Sequence, residues 1–210
     1  MHRTSILLVA MLIAPAWGCK PMLYPVARAF GGPSEGELKR CRVTFERLQA
    51  GRGSLRLQVS PAVDPVGRWK AGYPDTVDAQ VQQLRVTGWS GCIATATLPG
   101  VEPTPLGRNQ MRYSWNRARA YGAWVAGSHP EGDFHLFTEV LTHPSGAIIG
   151  IHLYVVDASG QVAYQRLMNS HHFGGNTPAD PRDAALRILW VFMRDIDRRA
   201  DEVFPPYGVG

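Results

Sequence analysis

Five of the chain's seven histidines, His135, His143, His152, His171 and His172, fall between Phe134 and Arg199, and these side chains carry its strongest hint of chemistry. An imidazole can act as a general base or a metal ligand when a carboxylate or a second imidazole converges on it. His171-His172 stand in the loop Asn169–Gly175, but neighbouring residues on extended backbone point apart, so the pair chelates poorly by itself. Pairing with Asp180 or Glu139 would make an envelope hydrolase or inhibitor conceivable; without such a partner the loop reads as a solvated or recognition segment. Gly88-Trp89-Ser90-Gly91-Cys92 approaches a nucleophile elbow but has Cys92 where the motif requires glycine, and it fits a glycine turn presenting a cysteine better. No H-E-x-x-H, C-x-x-C, phosphate loop or dinucleotide fingerprint occurs. Neither a cofactor nor a metal is expected, and no catalytic residue is assigned.

The elements that would position these residues are legible in the same region. Runs at Phe134–Leu141, Ile148–Val156 and Gln161–Asn169 read as strands, the last two joined by the turn Asp157-Ala158-Ser159-Gly160. Asp180-Pro181 is a strong helix start, and Ala185, Ile188, Leu189, Phe192 and Ile196 form an apolar stripe running toward Arg199. If the hairpin pairs Val156 with Val162, Tyr154 faces Tyr164 and His152 faces Arg166. The expected result is a candidate binding surface of His152, Tyr154, Tyr164 and Arg166, on the side away from the C-terminal helix, continued by Asn169, His171 and His172.

Earlier in the chain, Ser34 and Glu37 fit a capping box, yet Arg42–Leu48 alternates like a strand and is assigned as one. Ser54–Val59 alternates more cleanly. Thr76 can cap a short helix with Val77, Val81 and Leu84 on one face; Ile93–Leu98 reads as a strand and Arg108–Val125 as a helix. The fold class expected is α+β: a small mixed or antiparallel sheet with helices packed on one face, ending in a β-hairpin and a long C-terminal helix.

Composition and the N-terminus supply an address. The 210-residue chain is 45% apolar and 19% charged, the balance of a globular domain rather than a disordered chain. Its +5 formal charge comes from scattered residues rather than a basic run, which argues against a nucleic-acid partner. His2-Arg3 precede an apolar core, Ile6–Ile13, too short to cross about 30 Å of hydrocarbon, so residues 1–18 read as a signal peptide. Ala16-Trp17-Gly18-Cys19 resembles the lipobox of bacterial lipoproteins, with Ala where Leu is preferred and a bulky Trp17; cleavage after Ala16 is the competing reading. The resemblance implies lipidation of Cys19, a tether over residues 19–33, a single domain over 34–210, and, from Lys20 after the cysteine, a place at the outer membrane facing the periplasm. Its partner there would be an envelope protein or a cell-wall component. With Cys19 lipidated, Cys41 and Cys92 remain as an even pair in an oxidising compartment, and a disulfide between them would stabilise by ~4 kcal/mol.

The element order across Arg108–Arg199, with Gly132-Asp133-Phe134-His135-Leu136, is similar to the TolB amino-terminal domain and to envelope lipoproteins that activate penicillin-binding proteins or form the curli secretion channel. That resemblance implies a non-enzymatic binding or assembly module. It carries no functional residue with it.

Overall fold

The structure, a computed structural model, describes residues 32–65, 72–104, 110–173 and 176–204. Helix α1 spans Glu35–Ala50, strand β1 Leu57–Val59, α2 Asp75–Val86, β2 Cys92–Ala94, α3 Gln110–Ser128, β3 Phe134–Thr142, β4 Ile148–Asp157 and β5 Val162–Asn169. A 3₁₀ turn at Ser170–Phe173, helix α4 at Pro181–Ile196 and a last turn, α5, at Ala200–Val203 complete it. The five strands form one mixed sheet in the order β2-β1-β3-β4-β5, with β1 parallel to both β2 and β3 and the last three strands antiparallel. The protein is α+β.

Chain handedness decides which helix covers which face. The crossover from β1 to β2 moves outward along the sheet through α2; the next one, from β2 past β1 to β3, moves the opposite way through α3. Parallel crossovers are right-handed, so a reversal of direction puts the second helix on the opposite face. Accordingly α1, α2 and α4 pack with Leu136, Val140, Ile151, Leu153 and Val155 in the larger core. Helix α3 packs with Phe137, Tyr154 and Val156 in a second, smaller one. The expectation of helices on one face therefore holds for α1, α2 and α4 and not for α3.

Residues 42–48 are helical rather than extended. The Ser34 hydroxyl accepts from Glu37 N–H while the Glu37 carboxylate accepts from Ser34 N–H, a reciprocal cap that starts α1. Leu38, Cys41, Phe45 and Leu48 then form one buried stripe at helical spacing, which outweighs the local alternation of Cys41, Val43 and Phe45. Cys41 and Cys92 are both free thiols. Helix α1 packs on β5 whereas Cys92 begins β2 at the other edge of the sheet, several strand spacings of ~4.8 Å away. The expected disulfide is not formed, and burial pushes both thiols up to about 12, which makes them unreactive packing groups.

Two contacts close the α3 side. Glu37 on α1 and Arg119 on α3 form a paired ion bridge, 2.8 and 3.3 Å, that joins the two faces around the β5 edge. The β4–β5 turn meets α3 backbone to backbone, so closely that a Cβ on Gly122 would collide with the Gly160 carbonyl oxygen. Gly160 itself sits at φ +83°, where a side chain is strained. Gly122→Ala is therefore expected to lower stability by about 1–3 kcal/mol in denaturant titrations. Gly127→Ala, on the same helix with open space around it, should be neutral or stabilising by about 0.5–1 kcal/mol.

Candidate functional site

Glu139 on β3 and His152 on β4 are directly opposite each other in the ladder, and both point beneath α3. From α3, Tyr113, Arg117 and Tyr121 descend at four-residue spacing onto them, one per turn. Arg117 Nε lies 2.7 Å from Glu139 Oε1, which also accepts from the Tyr121 hydroxyl at 2.9 Å. The other oxygen, Oε2, lies 3.2 Å from His152 Nδ1 and 3.3 Å from the Tyr154 hydroxyl. Arg117 reaches outward as well, donating to the Glu102 carbonyl at 2.6 Å and so fastening the loop after β2. Glu139 is 0% and Arg117 2% exposed.

This is a buried ion pair whose remaining lone pairs are filled by hydrogen bonds, the condition under which such a pair tolerates desolvation. Burial by itself would raise the Glu139 pKa; the hydrogen bond and charge of His152 and the charge of Arg117 outweigh it and hold the carboxylate below its usual range. Burial, with the Glu139 charge, pushes the Tyr121 and Tyr154 phenols well up. Tyr113 packs its ring 5.5 Å from that of His152, which closes the site on the Gln110 side. Chemically the set is one paired charge in a dry interior: it positions α3 and the loop after β2, and it leaves Glu139 without a free lone pair for a substrate proton.

The expected surface of His152, Tyr154, Tyr164 and Arg166 does not exist as one face. Val156 does pair with Val162, but a bulge next to it inserts Ala163 and shifts the register by one. Tyr154 then faces Gln165, and Tyr164 faces Val155, so Tyr164 turns to the opposite side of the sheet. There its hydroxyl donates to Asp195 on α4 at 2.9 Å, and Arg166 approaches the same carboxylate at 3.9 Å. Those two residues thus point at the C-terminal helix rather than away from it. His152, Tyr154 and Tyr164 are all buried, so none presents a surface.

Asn169, His171 and His172 are placed at the end of β5 and in the turn that follows. His172 Nδ1 lies 2.7 Å from Asn169 Oδ1, which also accepts from His171 N–H, and Asn169 Nδ2 donates to Gln110 Oε1 at 3.2 Å. Both histidines are exposed. Among the described residues, no hydrogen bond or ion pair joins either to Glu139 or Asp180. Asp180 instead caps α4 by accepting from Asp183 N–H at 2.8 Å. Beside them Met111 on α3 is 45% exposed and Ile149 on β4 37%, which makes an exposed rim with an apolar component. Ser90 donates to the Gly53 carbonyl at 2.8 Å, and Trp89 is wholly buried, so Gly88–Cys92 is a packed turn. No group of three or more His, Cys, Asp or Glu among the described residues is arranged to hold a metal. No helix among them is long and apolar enough to cross a membrane.

Sequence reasoning missed Arg117 as the partner of Glu139. The signal was present: Arg117 lies among Tyr113, Ser114, Ala118 and Tyr121, on the buried side of α3, where an unpaired guanidinium would not be stable.

No family model and no curated protein matches this chain. Among solved structures, a dodecamer of a PelC point variant from Paraburkholderia phytofirmans is similar at 14% identity and a TM-score of 0.31, over 74% of this chain and 89% of that one. A likeness at that level carries no argument about fold or function.

His135 gives the site's neighbourhood a pH signature. It is 1% exposed, with Nδ1 3.0 Å from Gln58 Oε1 and Nε2 without a partner among the described residues, and burial lowers its pKa to about 4. As pH falls below the ordinary 6.5, the unfolded chain takes up this proton first, so stability present above pH 6.5 is lost between 6.5 and 4. Glu37, held down to about 2 by Arg119, adds a smaller loss between 4.5 and 2. The stability of wild type relative to His135→Gln should therefore fall by up to about 3 kcal/mol from about pH 6.5 to about 4 in urea titrations. A difference that stays constant across that window would remove His135 as the titrating group.

Proposed function

We propose that this chain is a lipid-anchored, non-enzymatic binding or assembly module of the bacterial cell envelope. It sits at the outer membrane facing the periplasm, and its partner is another envelope protein or a cell-wall component. The observation that carries this reading is the full commitment of Glu139: among the described residues, the set of ionisable side chains around it is dry and internally paired, so it serves the fold. The hydrolase alternative needs His171 or His172 against a carboxylate, and Asp180 and Glu139 are both engaged elsewhere.

Recognition then falls to exposed side chains. The rim of Met111, Ile149, Asn169, His171 and His172 is contiguous through the Asn169–Gln110 hydrogen bond and the Gly150–Asn169 pairing. It combines two aliphatic groups with two imidazoles on an ordered backbone, a composition suited to a protein contact of modest size. A photo-crosslinking residue at Met111 or His171 is expected to trap one specific envelope component in intact cells. The same residue at Gln82, exposed on α2, should not. Equal, non-specific adducts from all three positions would contradict the assignment.

A further inference from the structure

The fourteen residues 20–33 separate Cys19 from Ser34, the cap of α1. A chain of that length reaches at most about 50 Å, whatever its conformation. With Cys19 in a bilayer, as proposed above, a tether of that reach confines the start of the domain to within about 50 Å of the lipid surface. The tether enters at α1, and hence at the layer formed by α1, α2 and α4.

That layer carries the largest exposed aromatic side chain among the described residues. Trp190, midway along α4, is 59% exposed, and the Arg194 guanidinium lies 5.7 Å from its ring centre. Val86, 72% exposed, ends α2 next to Thr87, whose hydroxyl is 3.1 Å from the Met193 sulfur, which puts it at the same stretch of α4. The acidic residues of this stretch are occupied. Asp183 is tied to Arg187 at 2.7 Å and Asp197 to Arg52 at 2.8 Å. Asp195, buried beneath Tyr164, is one carboxylate shared by Arg194 at 3.2 Å, Arg198 at 3.6 Å and Arg166 at 3.9 Å, which leaves net positive charge at the end of the helix. An exposed indole beside a half-exposed guanidinium, with the described carboxylates of α4 all engaged, matches the needs of a headgroup interface: the ring sits at the polar–apolar boundary and the cation meets lipid phosphate.

We infer that the α2–α4 face centred on Trp190 and Arg194 rests on an anionic lipid surface, orienting the domain on its tether. This rests on the lipid anchor proposed above. It deepens that reading by assigning one face to lipid and the Met111–His172 rim to the partner.

The test uses the full chain, processed in cells and reconstituted with vesicles of phosphatidylethanolamine and phosphatidylglycerol carrying brominated acyl chains. Wild type and Trp190→Ser are compared, each with and without Cys19→Ser. Flotation reads the anchor, and tryptophan quenching reads the face. In floated wild type, bromine should quench about one fifth of the emission, one tryptophan of the five beyond residue 18. That quenching should be lost in Trp190→Ser and weakened at least twofold in phosphatidylcholine vesicles. Flotation with equal quenching in wild type and Trp190→Ser overturns the inference alone and leaves Trp190 facing water or protein. Equal quenching in charged and uncharged vesicles overturns its electrostatic half. A wild type that floats no better than Cys19→Ser overturns the anchor, and the inference with it.

Discussion

A single carboxylate in the middle of the sheet sets what the rest of this structure must do. Glu139 is on the central strand, wholly out of water, and a carboxylate there survives as an anion only if a cation and several donors meet it. Arg117 supplies the cation, and Tyr121, His152 and Tyr154 supply the donors. To deliver Arg117, α3 must cross on the face opposite the other helices. The direction-reversing crossover from β2 to β3 requires that face on grounds of handedness alone. Chain topology and electrostatics therefore agree on where α3 belongs, and the second contact of Arg117, with the Glu102 carbonyl, carries the constraint into the loop that leads to it.

The rest of the fold can be understood as holding α3 against that charge. The Gly122–Gly160 backbone contact seats the hairpin turn on the helix, and the Glu37–Arg119 bridge clasps the sheet edge from the other side. On the far face Asp195 plays a parallel part, gathering Tyr164, Arg166, Arg194 and Arg198 at the end of α4. Both layers thus use a buried carboxylate to fix a helix on the sheet.

Much of this was legible in the residues. The strands from Phe134 to Asn169 and the Asp180-Pro181 helix start follow from alternation and capping chemistry, because those signals are local. What escaped was non-local. The Ser34–Glu37 cap was visible, but whether residues 42–48 continue the helix depends on Tyr164 of β5 and Phe204 packing against Phe45. The Cys41–Cys92 pairing rested on an even count, and a count contains no distance. The surface built from His152, Tyr154, Tyr164 and Arg166 failed on one inserted residue, Ala163. A bulge leaves almost no mark in composition, yet it inverts every side chain beyond it. Arg117 was in view as a scattered positive charge; only the opposite-face packing of α3 reveals it as the counter-ion of Glu139.

The central claim is that Glu139 and Arg117 serve the fold as a pair. A double-mutant cycle in denaturant, with Arg117→Met, Glu139→Leu and both together, measures this directly. Each single change strands a buried charge and should cost about 3–5 kcal/mol, whereas the double change should cost clearly less than their sum, with a coupling of at least about 2 kcal/mol. Single variants within about 0.5 kcal/mol of wild type, or costs that simply add, would contradict it.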